Sequence, residues 1–580
     1  MEVDSERAPL ILKKGSVKVE ENEDEKEVSI INSGRMKIVL CILCCELCER
    51  LTYYSVVANL VVYCTNTLGY TSADAVTVSL VFSGTSYFLP VAGGWVADSI
   101  SGRFNGIFGG LLIYFIGAAI LPVISIDYEN LLESGAGLTL NQQRGFYIFA
   151  LSLIAVGTGG IKSNVGPFGA QQLEDLGEGA IQTFFNWFYW FINVGSAIAY
   201  SVVVYIQQEI SFAWGYSIPA FSILLATVAL LIGRNKYITT PPEGSILSRI
   251  CKIVWQASSK CCGGTSKDVE VENCLDRAKE ENGGSFLSEH VDQVKCLARI
   301  VPVFLCIIMY WTIYFQMQTT YILQGERMKL VYNSFTFPVA SLSLFNNISL
   351  LLLIPILDTV VYPFLERKGY KLTQLKRIGF GMFLASLSMA VAAIVEVARK
   401  DIMQDGGYFN QILADKTYNA SNLSVFAQIP QYFIVGASEA FTSITGLEFA
   451  YSQSPKVLQG VVMGLFLLTS GLGSYVGSLL VIIVNAATKG HEWFPDEVND
   501  GYLEYYYILL SLMMIVNLVI YCFVAHYYTY MQYPSQIPEP LDHDGDVEGD
   551  ASDKMKMNGT MHRQNKALLV KEGTLSESEI

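Results

Sequence analysis

KIVLCILCCELCERLTYYSVVANLVVYC, residues 37–64, reads as one helix crossing a membrane, with charges where a membrane should hold none. A bilayer's hydrocarbon core is about 30 Å thick and takes about 20 helical residues to span. This stretch is long enough and otherwise apolar, yet Glu46, Glu49 and Arg50 stand near its middle. Spacings of three and four put them on one helical face, which Tyr53 and Tyr54 continue. A charge at mid-helix costs about 2.5–3.5 kcal/mol on insertion scales, so it faces a partner or a watery cavity rather than lipid. One reading is a self-neutralising Glu–Arg pair that pins helix packing. Two acids against one base leave a carboxylate over, however, and a surplus carboxylate shielded from water can exchange protons.

Working outward, the apolar runs repeat along the chain. Of 580 residues, 52% are hydrophobic and 16% charged, against about 25% charged in a soluble domain. Because the apolar residues fall in span-length runs, a soluble enzyme is excluded. The runs predict twelve transmembrane helices, at 37–64, 75–98, 104–126, 144–170, 183–206, 213–233, 297–323, 340–365, 375–399, 425–452, 457–486 and 503–530. The expected organisation is an acidic N-terminal tail (1–36), a six-helix half (37–233), a linker loop (234–296), a second six-helix half (297–530) and an acidic C-terminal tail (531–580). Cationic loops stay cytosolic. Loop 234–296 carries Arg234, Lys236, Arg249, Lys252, Lys260, Lys267, Arg277, Lys279 and Lys295, and loop 366–374 adds Arg367, Lys368 and Lys371. Segments 66–74, 127–143 and 207–212 contain no Lys or Arg. Both tails are therefore expected in the cytosol, and the polar start of the chain predicts no cleavable signal peptide.

The net charge of −15 lies largely in the two tails, around Glu20–Glu27 and Glu539–Asp553, which read as solvated and disordered. Asp542, Asp544 and Asp546 resemble the start of a calcium loop, but Val547 occupies the position that needs Gly. Cys41, Cys44, Cys45 and Cys48 share one apolar span, where a free Cys acts as a small hydrophobe. No metal site, P-loop, cofactor site or nucleophile–base pair emerges. The chain is thus not read as an enzyme or a nucleic-acid binder; its surroundings are lipid, and its coupling ion would be the proton.

Other ionisable residues fall inside spans. Lys162 ends Gly157-Thr-Gly-Gly-Ile-Lys162, whose glycines admit a neighbouring helix or a bend beside the charge, and Glu439 lies in span ten. A zwitterionic solute needs cations for its carboxylate and an anion for its amine. Arg50 and Lys162 in one half, facing Glu439 in the other, would supply both. Asp98 and Arg103 at the end of span two are echoed by Asp358, Arg367 and Lys368 at the end of span eight, a trace of internal repetition. Asn419 and Asn422 head two glycosylation triplets in loop 400–424, outside the cytosol on this topology. Asn558 heads a third in the tail, which is read as fortuitous.

Glu46-Leu-Cys-Glu49-Arg50-Leu-Thr-Tyr53-Tyr54 resembles the ExxERFxYY motif of the proton-coupled oligopeptide transporter family, departing at Leu51. Residues 157–172, GTGGIKSNVGPFGAQQ, resemble that family's GxGGIKPxxxxFGxDQ stretch, departing at Ser163 and Gln171. Residues 188–196 (FYWFINVGS) and 446–452 (GLEFAYS) match two further family segments. The sequences FFNWFYWFINVGS, YIQQEISFAWGYSIP, ITTPPEGS and YWTIYFQMQTTYILQ are similar to the peptide/histidine branch. The resemblance implies an all-α major facilitator fold of two six-helix halves. It also implies symport of protons with histidine and di- or tripeptides, largely in endosomal and lysosomal membranes. In the N-terminal tail, Glu6-Arg-Ala-Pro-Leu10-Ile11 has the spacing of an acidic dileucine signal, which a clathrin adaptor would read.

Position by position, the resemblance implies that Arg50 and Lys162 bind the substrate carboxylate and Glu439 its amine. It gives Tyr54, Tyr63, Tyr87, Tyr189, Asn193, Asn346 and Ser443 hydrogen-bonding or pocket-wall roles, with Trp311 and Phe466 flanking side-chain pockets. Glu46 and Glu49 would carry the proton. For each tyrosine, ordinary packing is the competing reading. Animal plasma-membrane relatives carry a His where this chain has Leu80 and an acid where it has Phe315, which leaves fewer titratable groups for coupling. Competing functions are an exchange carrier with structural acids, and a membrane scaffold or nutrient sensor whose tails recruit cytosolic partners.

Overall fold

In lipid the backbone must satisfy its own hydrogen bonds, so each apolar run has to become a helix. The computed structural model describes residues 35–126, 138–242, 244–262, 273–333, 335–370, 372–413, 416–495 and 497–530. Among the described residues, ten helices are long and apolar enough to cross a membrane. They are α2 (Ser72–Ser101), α3 (Arg103–Ile124), α4 (Leu140–Gln171), α5 (Gly179–Ile210), α6 (Phe212–Lys236), α7 (Ser288–Glu326), α8 (Val339–Arg367), α9 (Gln374–Gln404), α11 (Gln459–Ala487) and α12 (Leu503–Tyr527). Two more helical segments lie where the remaining two spans are expected: α1, residues 36–66, and α10, residues 429–452. These two hold Glu46, Glu49, Arg50 and Glu439, the charges that lower their apolar character. The tails, with Glu6, Leu10, Ile11 and Asn558, lie outside the described residues.

Several boundaries differ from the sequence expectation for physical reasons. α7 begins at Ser288 rather than 297, because its first turns extend beyond the apolar run and pack on the linker. α1 breaks at Asn59, whose amide donates to Gln207 Oε1 at 2.8 Å and accepts from Gln208 Nε2 at 2.5 Å. The Ser55 carbonyl freed by the break accepts from Gln207 Nε2 of α5 at 2.9 Å. Part of the linker is ordered as a helix, Ile246–Cys262, followed by a short turn in which Asp276 pairs with Lys279 at 3.2 Å and also with Lys295. The 400–424 loop folds into an antiparallel hairpin, Tyr408–Leu413 with Lys416–Ser421.

Glycines set the packing of the first half. A Cβ on Gly157 would sit 2.7 Å from the Gly110 carbonyl oxygen, and one on Gly160 would sit 3.0 Å from that of Gly106, so this face of α4 touches the backbone of α3. Gly159 faces the other way, where a Cβ would come 2.8 Å from Leu89 Cβ of α2. Close approach, rather than a bend alone, is what these glycines provide. The segment before Lys162 is wedged between two helices, which holds the lysine inside the bundle.

The internal echo is structural as well. The helix widens into a π turn at Ala97–Ser101 and again at Leu357–Val361, each with an aspartate second, Asp98 and Asp358. Asp98 pairs with Arg103 at 3.6 Å across Gly102, whose φ of 75° suits glycine. In the second half Asp358 interacts instead with Arg377 of α9, not with Arg367 or Lys368.

The halves meet along α2 and α11 and at the end that bears the hairpin. Ser474 Oγ donates to the Leu80 carbonyl at 2.7 Å, and a Cβ on Gly471 would lie 2.9 Å from the Gly84 carbonyl oxygen. Asn347 Nδ2 donates to Ser196 Oγ at 3.1 Å, and Ser341 Oγ to the Tyr200 carbonyl at 2.6 Å. At the hairpin end Asn66 Nδ2 donates to the Leu413 carbonyl at 3.1 Å, Lys416 Nζ to the Thr65 carbonyl at 3.4 Å, and the Tyr418 hydroxyl to Asn66 Oδ1. None of these bonds lies in the opposite ends of α5 and α8, toward the basic loops, where Tyr189 is 39% exposed. The structure is thus clasped at the hairpin end.

Candidate functional site

α1 presents Glu46, Glu49 and Arg50 to the interior, all three buried. Arg50 Nε lies 3.0 Å from Glu46 Oε1, and its Nη2 lies 2.5 Å from Glu49 Oε2. These are close charge pairs without hydrogen-bond alignment, since Nε, Nη2 and both Glu49 oxygens have no hydrogen-bond partner among the described residues. Lys162 joins this group: Arg50 and both acids act on it electrostatically. Two acids and two bases therefore form one buried group.

Lys162 is the open member of that group. Its Nζ is shut off from solvent and has no hydrogen-bond partner among the described residues. It lies 3.1 Å from the Tyr87 ring centroid and 5.3 Å from that of Tyr53, against two π faces. Such contacts give a desolvated ammonium about 2 kcal/mol, less than a charged hydrogen-bond partner would.

In the second half, the carboxylate of Glu439 accepts from Asn346 Nδ2 at 3.1 Å, and Tyr314 interacts with it electrostatically. The helix widens directly after it into the π turn Ala440–Ile444, which contains Ser443; such turns are frequent at functional sites. Tyr54 and Tyr87 interact electrostatically with both Arg50 and Glu439, so they stand between the cationic group and the lone acid. Tyr189 and Tyr310 also sense Glu439. An aromatic wall continues from Tyr87 through Phe315 (5.8 Å) and Trp311 (6.2 Å) to Phe466 (6.3 Å). A site with cations on one half, an anion on the other and aromatic walls between them suits a small zwitterion.

A family model described as the POT family matches residues 104–494. Solute carrier family 15 member 3 of Mus musculus is 33% identical over 525 residues, covering 84% of this chain and 90% of that protein. The chain belongs to the POT family. Protein NRT1/PTR family 8.3 of Arabidopsis thaliana is 33% identical, covering 89% of this chain and 94% of that protein. The crystal structure of an auto-inhibited POT family peptide transporter shares the fold with a TM-score of 0.69 at 24% identity, covering 86% of this chain and 98% of that one. The POT family transporter PepTSo matches with a TM-score of 0.65 at 26% identity, covering 84% and 98%. The protein is accordingly a multi-pass membrane transporter of the major facilitator fold and not an enzyme.

Within this POT protein most of the expected residues converge, and one does not. Tyr63 packs among Tyr147, Phe212 and Tyr216 and accepts from Ser125 Oγ at 2.9 Å. It lies beyond the break at Asn59, in a fully buried aromatic knot of the first half, so packing is its role. Asn193 donates to the Tyr189 carbonyl of its own helix at 2.8 Å, which leaves its oxygen for other partners. Leu80 and Phe315 are buried against α11 and Tyr87 respectively.

Sequence reasoning missed Tyr53, Tyr310 and Tyr314 as site residues. Tyr310 and Tyr314 are one turn apart beside Trp311, a helical stripe that the segment YWTIYF already displayed. It also missed a second buried ionic network in the same half. Arg399 pairs with Glu396 at 2.6 Å, both fully buried, and Gln324 Nε2 donates to Glu396 at 3.0 Å. Arg327 pairs with Glu497 at 2.8 Å and stacks on Tyr418 at 3.9 Å. Among the described residues no group of His, Cys, Asp and Glu is placed to hold a metal ion.

Proposed function

We propose that this protein is a proton-coupled symporter of di- and tripeptides and histidine, moving them toward the cytosol across an endolysosomal membrane. The observation that carries the reading is Lys162, a buried ammonium without a hydrogen-bond acceptor. The substrate carboxylate docks on Lys162 and its ammonium on Glu439, so one solute ties the two halves together. Arg50 is engaged by Glu46 and Glu49 and so is not free for the carboxylate at first. A proton taken up by either acid removes one negative partner and releases the guanidinium toward the substrate. Proton binding and substrate binding thereby assist each other, and Glu46 and Glu49 carry the proton. Rocking of the halves about α2 and α11 then alternates access.

The Lys- and Arg-rich loops support a cytosolic placement of the linker and both tails. Asn419 and Asn422 are exposed on the hairpin at the opposite end, as glycan acceptors would be. The Leu10–Ile11 pair, with Glu6, serves as the clathrin-adaptor signal that sorts the carrier to endosomes and lysosomes.

The test is uptake of labelled histidine and of a dipeptide into proteoliposomes, with and without an inward proton gradient. Gradient-driven accumulation of both is expected. Equilibration at the same rate without the gradient would make this a facilitated carrier.

A further inference from the structure

The linker helix Ile246–Cys262 has three faces. Ile246, Ile250, Ile253 and Ala257 recur at helical spacing, and the last three of them are buried against the protein. Arg249, Lys252, Gln256, Ser259 and Lys260 form a polar face. The third stripe, Leu247, Cys251, Val254, Trp255, Ser258 and Cys261, is apolar but for one serine. It is uncovered: Trp255 is 78% exposed, Val254 41%, and both cysteines are exposed. A helix with an apolar stripe, a basic stripe and an exposed indole has the make-up of one lying at a membrane surface.

Two further observations place it there. Trp95, near the basic-loop end of α2, donates its Nε1 hydrogen to Ser248 Oγ at 2.8 Å, so the helix starts at the depth of a span's end. The far end is fastened through its polar side: Gln256 Nε2 donates to Ser285 Oγ at 2.9 Å, Arg277 Nη1 to the Lys260 carbonyl at 3.1 Å, and Lys260 Nζ to the Gly283 carbonyl. None of these contacts uses the third stripe. Arg249 and Lys252 beside it match the negative potential of a cytosolic leaflet.

We propose that this stripe beds in the cytosolic leaflet and that Cys251 and Cys261 are S-acylation sites for long-chain acyl groups. In the step, each thiol gives up its proton and its sulfur attacks the carbonyl carbon of a long-chain acyl-coenzyme A. A new carbon–sulfur bond forms, the bond to coenzyme A breaks, and coenzyme A leaves as a thiol carrying the proton. One acyl chain anchors only reversibly, whereas two together anchor stably. The acylated helix would hold the linker to the bilayer while the halves move. The proposal rests on assigning the basic loops to the cytosol.

The experiment uses the full chain in sealed membrane vesicles, cytosolic face outward, with peptide-level mapping of each cysteine. Free thiols are first blocked with an impermeant maleimide, then thioesters are cleaved with hydroxylamine and the released thiols labelled. Label at Cys251 and Cys261 only after hydroxylamine is expected, with its loss in Trp255→Glu, which lifts the stripe from lipid. Blocking of both thiols from outside, without hydroxylamine, overturns acylation and leaves the topology standing. Reaction with maleimide only after detergent opens the vesicles overturns the topology instead. Acylation that persists undiminished in Trp255→Glu overturns the bedding of the stripe.

Discussion

Replacing Glu439 with Gln isolates the amine-binding half of the site. The carboxylate is held by Asn346 Nδ2 at 3.1 Å. Asn346 Oδ1 has no hydrogen-bond partner among the described residues. In Glu439→Gln the Asn346 amide can turn over and offer that oxygen to the introduced NH2. The fold should lose little, so the effect concentrates in binding. A hydrogen bond to a charged group contributes about 1.5–3 kcal/mol, so affinity for a dipeptide should fall about 10- to 100-fold at about 1.4 kcal/mol per decade. The assay is competition by unlabelled ligand against labelled dipeptide, run in parallel with an analogue lacking the amino group. The analogue should bind the wild type weakly and be almost indifferent to the substitution, because its contact is already missing. Lys162→Gln should penalise both ligands through the carboxylate. If Glu439→Gln weakens the deaminated analogue as much as the dipeptide, the acid serves structure or proton coupling and the substrate orientation is wrong.

Gly84→Leu should abolish transport while leaving membrane insertion intact, because even a Cβ there sits 2.9 Å from the Tyr475 ring and 3.1 Å from the Gly471 carbonyl oxygen; uptake against surface-normalised protein checks it. Glu396→Ala should strand the fully buried Arg399 and cost about 3–5 kcal/mol, read as a lower melting temperature in detergent, with Glu396→Gln milder. In cells Asn419 and Asn422 should accept glycans and Asn558 none, so an N-glycosidase shift that survives Asn419→Gln/Asn422→Gln but not Asn558→Gln would overturn the topology. Leu10→Ala/Ile11→Ala should move the carrier toward the cell surface, and unchanged endolysosomal residence by surface biotinylation would remove the motif from the account.

The spans were legible because lipid offers the backbone no hydrogen bonds, which ties apolar run length to helix length. Glu46, Arg50, Lys162 and Glu439 stood out for the same reason, since each violates an apolar setting that a single sequence displays. Their convergence was not legible: that Tyr87 lies against Lys162 while also sensing Glu439 depends on the glycine-to-glycine approach of helices distant in sequence. Tyr63 shows the limit from the other side. It shares a helix and a residue type with Tyr54, yet the break at Asn59 carries it into a separate aromatic knot. Glu396 and Arg399 fall at the end of the expected span 375–399. Only the glutamines brought by α7 and α10 reveal that they are enclosed. The linker helix was hidden among charges that set topology, since its three-faced pattern becomes meaningful once one face is known to be covered.

The hairpin that grips the end of α1 also offers an external handle on the carrier's cycle. Its Lys416 and Tyr418 hold Thr65 and Asn66, while Tyr418 rests on the Arg327 guanidinium. Opening toward that end must pull the strand off α1, and Asn419 and Asn422 ride on the part that moves. An antibody fragment or lectin that clamps the hairpin in its present seat would stall turnover without entering the substrate cavity. One that binds only the detached strand would report, molecule by molecule, how often the far door opens.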